Sequence, residues 1–336
     1  MPNPSPAVHG DTALPPPPLG VRHAVGGRRL MLHRSGSGGP AVVFLPGSGM
    51  VGLDYVNIHN RTAELTTSVL YDRAGTGWSD PAELPRPAAE VADELHDLLR
   101  SADIPGPYLL VGHSLGGSYA RVFAQRFPAR VAGLLLLDPS HEDFLARVPE
   151  EVRRHAERTR REVEHMLREG VPDPTPEQLR QALDQLAPIS DGWPESLRRP
   201  LLDYHLNAWR TGIDEAWNLD GEVADELRSG PGLPDVPLIV LTALAEEEAE
   251  VLMWSAETRQ ACSDVKAALH AQLARSVSKG EHRTLADAGH LWLHEERADA
   301  VLQAVDDLLH AARRPSERPT PTEHGTGAID ARKGSP

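Results

Sequence analysis

The stretch YLLVGHSLGGSYARVFAQRF runs from Tyr108 to Phe127. The apolar run YLLVGH predicts a buried strand, and SYARVFAQRF places Tyr119, Val122 and Phe123 on one face of a helix. Between the two stands a Gly-x-Ser-x-Gly sequence, GHSLG, which is meaningful only where a strand turns sharply into a helix. The stretch therefore predicts such a turn with a serine at its apex.

Ser114 is that apical serine and the candidate nucleophile. A serine hydroxyl needs an adjacent base, an acid that orients the base, and donors for the oxyanion. The carboxyl end of a strand and the start of a helix are where open α/β sheets bind ligands. The alternative is a structural Gly-rich turn, and the strand and helix on either side favour the nucleophile.

The base is expected to be a histidine on a loop after the last strand. His290, in LADAGHLWLHEE, follows Gly289 and precedes a predicted helix, which is this setting. His113 directly precedes Ser114 and is predicted to be a packing residue that faces away from it. His294 is predicted to be a surface or capping residue, and His324 lies in the polar tail.

The oxyanion donors are predicted from the same geometry. One is the backbone N–H of Leu115, the residue after the nucleophile. The other is the N–H of Ser48, in the loop that follows the apolar strand AVVFLPG. The alternative for this second segment is that its Gly-Ser-Gly sequence is only a flexible turn.

Outward from this stretch, strands and helices alternate. VRHAVGG and RRLMLHRSG predict a short hairpin, TTSVLYDRAGTGWSD predicts a strand and a loop, and PAAEVADELHDLLRSA predicts a helix. VAGLLLLDPS and VPLIVLTA are nearly unbroken apolar runs. This alternation predicts an α/β fold with a mostly parallel central sheet that helices cover on both faces.

Residues 140–234 break the alternation with charged helical segments, whose mixed-sign charges are typical of a solvated face. We predict a helical insertion within one α/β core of residues 21–139 and 235–312. Residues 1–20 and 313–336 are Pro-rich or polar and are predicted to be disordered. Aromatic residues are concentrated in or near the insertion, where they line an apolar pocket or form its own core: Trp193, Tyr204, Trp209, Trp217 and Trp254.

Charge and cysteine content limit the function classes. The net charge of −15 disfavours nucleic acid and anionic membranes as partners. The single cysteine, Cys262, allows neither an intrachain disulfide nor a thiolate cluster, which fits a cytoplasmic protein. No P-loop, dinucleotide or zinc motif occurs, so no cofactor or metal is expected. A small-molecule substrate is the expected partner, and the oligomeric state is left open.

Six segments together resemble the α/β-hydrolase fold family, in particular its capped bacterial serine hydrolases: FLPGSG, YDRAGTGWSDP, GPYLLVGHSLGGSYARVFA, VAGLLLLDPSHED, VPLIVLTA and AGHLWLHEERADAVLQAV. The resemblance implies that Ser114 is the nucleophile, that His290 is the base and that the insertion is a cap between two late strands. It also implies that Asp72 and Arg73 support the sheet edge near the oxyanion loop.

Two carboxylates are candidates for the acid, because relatives place it after either of two strands. Asp138 ends the apolar strand VAGLLLL and emerges at the same edge as Ser114. Glu246 follows VPLIVLTA but lies in an acidic run that is typical of a solvated loop. We predict Asp138, with Glu246 as the alternative.

These residues predict a serine hydrolase that cleaves an ester, lactone or thioester through an acyl-enzyme. The same triad also serves an acyltransferase, a carbon–carbon bond hydrolase, or a cyclase or lyase of a biosynthetic pathway. A non-catalytic binding protein is a third alternative, which the intact serine and histidine disfavour.

Overall fold

A single sheet forms the centre of the computed structural model, which describes residues 14–169 and 174–313. The described residues form eight strands: β1 (Val21–Val25), β2 (Arg28–Ser35), β3 (Ala41–Leu45), β4 (Ser68–Tyr71), β5 (Tyr108–His113), β6 (Val131–Leu137), β7 (Leu238–Ala243) and β8 (Gly280–Leu285). Their order across the sheet is β1-β2-β4-β3-β5-β6-β7-β8.

Strands β3 to β8 run parallel to one another, whereas β1 and β2 form an antiparallel hairpin and β2 is antiparallel to β4. Every residue of β3, β4, β5 and β7 is buried. Strands of this kind are apolar on both faces because helices cover both faces of a parallel sheet. The predicted mostly parallel α/β fold is confirmed.

The helices of the described residues are α1 (Val56–Thr62), α2 (Ala88–Ser101), α3 (Leu115–Arg126), α4 (Phe144–Arg147), α5 (Glu150–Glu169), α6 (Pro176–Ser190), α7 (Glu195–Asn207), α8 (Trp209–Ala216), α9 (Ala224–Ser229), α10 (Glu248–Met253), α11 (Ala256–Ala274), α12 (Leu293–Glu296) and α13 (Ala298–Arg313). Short 3₁₀ turns cover Gly52–Tyr55 and Pro128–Arg130, and a π-helical turn covers Leu219–Val223.

The sheet separates two apolar clusters, and alternate residues of each strand enter different ones. In β3, Val43 and Leu45 belong to the cluster that α2 and α3 complete, while Val42 and Phe44 belong to the cluster that α1 and α13 complete. This alternation is the two-residue period of a strand. Because both faces are covered, the edge at the carboxyl ends of the parallel strands is left for polar side chains such as Ser114 and Asp138.

Helices α4 to α9 lie between β6 and β7, and we call residues 140–234, the predicted insertion, the cap segment. The side chains of α5 and α6 are mostly exposed. By contrast, Leu197 and Leu201 of α7 and Glu215 of α8 are at most 3% exposed. The cap segment therefore contacts the core through α7 and α8, and also through α9, where Leu227 belongs to the first apolar cluster.

The two ends differ in detail from the sequence prediction. Leu19 packs against the second apolar cluster, and a Cβ on Gly20 would lie 2.6 Å from the carbonyl oxygen of Leu32. The predicted arm of residues 1–20 is therefore too long, because its last residues contact the core. At the other end, Arg313 is still part of α13. The remaining predicted end segments, 1–13 and 314–336, lie outside the described residues.

Within residues 14–169 and 174–313, no helix combines the length and the apolar character that crossing a bilayer requires.

Candidate active site

Ser114 occupies the turn between β5 and α3 in a strained conformation, with φ 52° and ψ −120°. Such backbone costs free energy and persists where the surrounding packing enforces it. Two glycines permit the turn, because a Cβ on Gly112 would lie 2.6 Å from the Gly116 carbonyl oxygen and one on Gly116 would lie 2.1 Å from that of Leu45. The strand-turn-helix thus places Ser114 at the carboxyl end of β5, at the edge of the sheet.

His290 lies in the turn after β8, and its Nε2 is 3.0 Å from Ser114 Oγ. Both backbone polar groups of His290 are fixed. Its N–H donates to a Glu247 carboxylate oxygen over 2.8 Å, and its carbonyl accepts from His113 Nε2 over 2.8 Å. Because its backbone is held on both sides, the imidazole keeps its position beside the serine.

Asp138 directly follows β6 and faces the other nitrogen of the imidazole. Its Oδ2 lies 2.6 Å from His290 Nδ1, and its Oδ1 accepts from the Ala243 N–H over 3.1 Å. Lys266 Nζ also donates to Oδ2, over 3.1 Å. The side chain is only 1% exposed, so a buried carboxylate links β6, β7 and the histidine loop.

The charge state of Asp138 follows from these neighbours. Burial alone would raise the pKa of the carboxyl group, but the hydrogen bond with His290 and the charge of Lys266 hold that pKa below its ordinary value. An ionised carboxylate at Nδ1 orients the imidazole and keeps its Nε2 available to accept a proton.

Glu246, the alternative acid, is not brought to the imidazole. Its side chain is 57% exposed and pairs with Arg259, with 2.6 Å between Nε and the carboxylate. The neighbouring Glu247 contacts His290 instead, at the backbone N–H. The acidic run after β7 therefore supplies a support for the histidine loop, and sequence spacing did not identify it.

His113 is buried, as a packing residue would be, but it also connects two parts of the site. The Tyr55 hydroxyl lies 2.7 Å from its Nδ1, while its Nε2–H donates to the His290 carbonyl. Burial, reinforced by the nearby His290, lowers the pKa of His113 to about 3. A neutral ring with one donor and one acceptor fits both partners.

The prediction for His294 is wrong. The side chain is 0% exposed, and its ring stacks on Tyr55 with 4.1 Å between centroids. Its Nε2–H donates to the Asp54 carbonyl over 3.2 Å. Glu295 and Glu296, which follow His294 in the sequence, are typical of a surface, but the short helix α12 turns His294 inward against Tyr55.

The loop Pro46–Gly49, which carries the predicted oxyanion residue Ser48, passes close to Ser114. A Cβ on Gly47 would lie 3.5 Å from Ser114 Cβ. Within the described residues, the Ser48 N–H has no acceptor, and its hydroxyl donates to the Gly212 carbonyl over 2.5 Å. Leu115 is the first residue of α3, so its N–H has no intrahelical acceptor either.

Arg73 and Glu215 form a buried ion pair behind this loop, with 2.8 Å between Nε and Oε1 and 2% of each side chain exposed. The Arg73 guanidinium also donates to the carbonyls of Pro46 (2.7 Å) and Gly47 (2.8 Å). The neighbouring Asp72 accepts from the N–H groups of Gly52 and Trp78, each over 2.8 Å. Burial raises the pKa of Asp72 to about 7, although both N–H groups oppose that shift.

A cavity of about 400 Å³ adjoins the imidazole and the Asp138 carboxylate. Its lining includes apolar side chains from the cap segment, α11 and the histidine loop: Phe144, Leu219, Leu269 and Leu291. A larger groove of about 730 Å³ lies between α5 and α8, where Trp217 contributes to its wall. Of the aromatic residues predicted to line a pocket or form a core, Trp193 is 2% exposed and belongs to the core.

Over the described ranges, no group of three or more His, Cys, Asp or Glu side chains is arranged to hold a metal ion.

The order of the strands, the strained turn at Ser114 and the buried Asp138 carboxylate are together typical of hydrolases built on a mostly parallel sheet. A family model described as the alpha/beta hydrolase family matches residues 42–304. The chain therefore belongs to the alpha/beta hydrolase family.

The uncharacterized protein YqjL of Bacillus subtilis is 34% identical over 141 residues, which are 41% of this chain and 53% of YqjL. The first curated relatives are matched over no more than 53% of their own length. An esterase from Thermogutta terrifontis has a similar structure, with a TM-score of 0.57 and 20% identity over 88% of this chain and 99% of the esterase.

The enol-lactonase from Burkholderia xenovorans LB400 is similar as well, with a TM-score of 0.54 and 22% identity over 86% of this chain and 99% of the lactonase. At such identities these likenesses show the shared fold.

Proposed function

We propose that this chain is a serine hydrolase that cleaves an ester, lactone or thioester of a small molecule through an acyl-enzyme on Ser114. The observation that carries the proposal is the continuous chain of contacts from Ser114 Oγ through His290 to Asp138, over 3.0 Å and 2.6 Å. A nucleophile and its base within hydrogen-bond reach, with the base oriented by a third group, is the arrangement that covalent catalysis needs.

In the first half of the reaction, Ser114 Oγ attacks the substrate carbonyl carbon while its proton moves to His290 Nε2. The carbonyl oxygen becomes an oxyanion, for which the N–H groups of Ser48 and Leu115 are the proposed donors. When the tetrahedral intermediate collapses, the bond to the leaving group breaks and His290 returns the proton to it. The products are the free alcohol or thiol and acylated Ser114; from a lactone, the alcohol remains part of the acyl chain.

In the second half, water attacks the acyl carbon and gives a proton to His290 Nε2. Collapse of the second intermediate breaks the bond to Ser114 Oγ, which takes the proton back, and the carboxylic acid leaves. Throughout, the ionised Asp138 stabilises the imidazolium that forms in each half.

Esterase and enol-lactonase are the names of two structurally similar proteins, and both are compatible with this chemistry.

The test is covalent labelling followed by turnover. We expect a fluorophosphonate probe to label the wild-type protein at Ser114 and to leave Ser114→Ala unlabelled. We expect wild-type turnover of p-nitrophenyl acetate, and a loss in Ser114→Ala of several orders of magnitude in kcat with the fold retained. Near wild-type hydrolysis by Ser114→Ala would refute the assignment. Labelling without turnover of any ester would favour acyl transfer or another triad reaction.

A further inference from the structure

The loop Pro46–Gly49 is anchored through several of its backbone polar groups. The N–H of Gly47 donates to the Tyr55 hydroxyl over 3.2 Å, and the carbonyls of Pro46 and Gly47 accept from Arg73. The N–H of Gly49 donates to Glu215 Oε2 over 2.8 Å. The Ser48 N–H lies between these anchored groups and, within the described residues, is the one left without an acceptor.

Three of the contacts at this loop come from helix α8 of the cap segment. Glu215 accepts from Gly49 and pairs with Arg73, so one carboxylate fixes both the loop and the guanidinium that holds it. One turn earlier in α8, Gly212 accepts the Ser48 hydroxyl and approaches the loop so closely that a Cβ on it would lie 3.2 Å from Gly49 Cα. The loop is thus held between the core and the cap.

We propose that Glu215 is a positioning residue for catalysis, through which helix α8 sets the oxyanion loop in its productive geometry. This inference rests on the proposed function, because it concerns the donor that Ser48 supplies to the oxyanion. It makes docking of the cap a condition for transition-state stabilisation, in addition to whatever the cap contributes to substrate binding.

The physical reason is the rigidity that an oxyanion site needs. Its donors act by being fixed before the reaction, so a small displacement of one N–H lowers transition-state stabilisation while ground-state binding is little affected. In Glu215→Gln a single amide oxygen remains for Gly49 and Arg73 together, and the buried Arg73 loses its counter-charge. The guanidinium would then move toward other acceptors and take the Pro46 and Gly47 carbonyls with it.

Glu215→Gln is the informative variant, because it keeps the side-chain shape and removes the charge. With p-nitrophenyl acetate as substrate, we expect kcat to fall by about 10- to 100-fold while KM changes by less than about threefold. We also expect the inhibition constant of phenylboronic acid, which forms a tetrahedral adduct on a serine, to rise by at least about tenfold. A merely structural residue would lower the melting temperature and leave both readouts unchanged in the folded enzyme.

Glu142→Gln is the matched control. Glu142 forms a bidentate pair with Arg121 through two contacts of 2.7 Å. The Glu142 side chain is 11% exposed and that of Arg121 is 6% exposed, but Glu142 has no hydrogen bond to the oxyanion loop. We expect kcat within about twofold of wild type for this variant, whatever its melting temperature.

Gly212→Ala tests the same inference without removing a charge, should Glu215→Gln fail to fold. The added methyl group presses α8 against Gly49, while alanine is favourable within a helix. A tenfold or greater fall in kcat supports the proposal. Unchanged kcat and unchanged boronate inhibition in either folded variant would overturn it. Wild-type protein that neither labels at Ser114 nor hydrolyses the ester would refute the proposed function itself.

Discussion

Backbone strain in the described residues is concentrated at the two ends of the Ser114–His290–Asp138 chain. Three non-glycine residues of the described ranges have positive φ, namely Asp103, Ser114 and Asp138, and two of them belong to this chain of contacts. Ser114 has φ 52° and Asp138 has φ 39°, and each follows the last residue of a parallel strand. Such conformations persist only where the surrounding structure enforces them. We infer that the same sheet edge enforces both and aims the two side chains at one imidazole.

A pair of variants tests the acid at the residue scale. We predict that Asp138→Asn lowers kcat for p-nitrophenyl acetate by about 10⁴-fold, because an amide at Nδ1 stabilises the wrong tautomer of His290. We expect Glu246→Gln to keep kcat close to wild type, because Glu246 pairs with Arg259 at the surface.

Both variants should be checked for fold by circular dichroism before the assay. Normal kcat in Asp138→Asn together with collapse in Glu246→Gln would reverse the assignment of the acid.

At the scale of elements, helix α7 is joined to the core by a second ion pair, separate from that of Glu215. His205 Nε2 lies 2.8 Å from Asp54 Oδ1, and the Asp54 side chain is fully buried. Burial alone would lower the pKa of His205, but the charge and hydrogen bond of Asp54 outweigh it and raise that pKa above its ordinary value. The contact between α7 and the core therefore depends on pH.

We predict that His205→Gln destabilises the protein mainly at acidic to neutral pH. Because the folded-state pKa is raised, the stabilisation is fully present below the unfolded-state pKa of about 6.5 and is lost as pH rises through the folded-state value. Urea unfolding of both proteins from about pH 5.5 to about pH 9 should give a difference of about 1–3 kcal/mol at the acidic end, which shrinks as pH rises.

His310→Gln is the control for this series. His310 lies near Asp306 on the same helix, with 3.3 Å between Nδ1 and the carboxylate, but its side chain is 65% exposed. Exposed pairs of this kind contribute little, so we expect almost no difference from wild type at any pH. A His205→Gln difference that grows with pH would contradict the predicted charge state.

At the scale of the whole molecule, packing is uneven. The central strands are buried along their whole length, whereas within α6 only Ser190 is buried and α5 presents mostly exposed side chains. Local opening requires less free energy where fewer apolar contacts are broken. Helices α5 and α6, the outer part of the cap segment, therefore make few buried apolar contacts.

We predict that backbone amides of α5 and α6 exchange with deuterium at least about tenfold faster than those of β5 and β6. Hydrogen exchange followed by mass spectrometry measures this difference, and α3, which is helical but buried, controls for helix as opposed to strand. Equal protection in α5 and α3 would show that the outer cap is as firmly packed as the core.

The sequence by itself determined the fold class and the two candidate residues Ser114 and His290. Unbroken apolar strands require helices on both faces, and a Gly-x-Ser-x-Gly turn is a local pattern that neighbouring residues specify completely. For the same reason, Ser114 and His290 could be named from their immediate surroundings, and the structure brings their side chains to 3.0 Å.

Only the tertiary structure decided which carboxylate faces His290, why His294 is buried, and what holds the loop Pro46–Gly49. Asp138 and His290 are 152 residues apart, and Arg73 and Glu215 are 142 residues apart. No local pattern encodes such pairs: the strand-end position favours Asp138 over Glu246, but the contact with His290 is made only when the chain is packed. The buried position of each charged group depends on which distant segment covers it, and that is a property of the folded molecule alone.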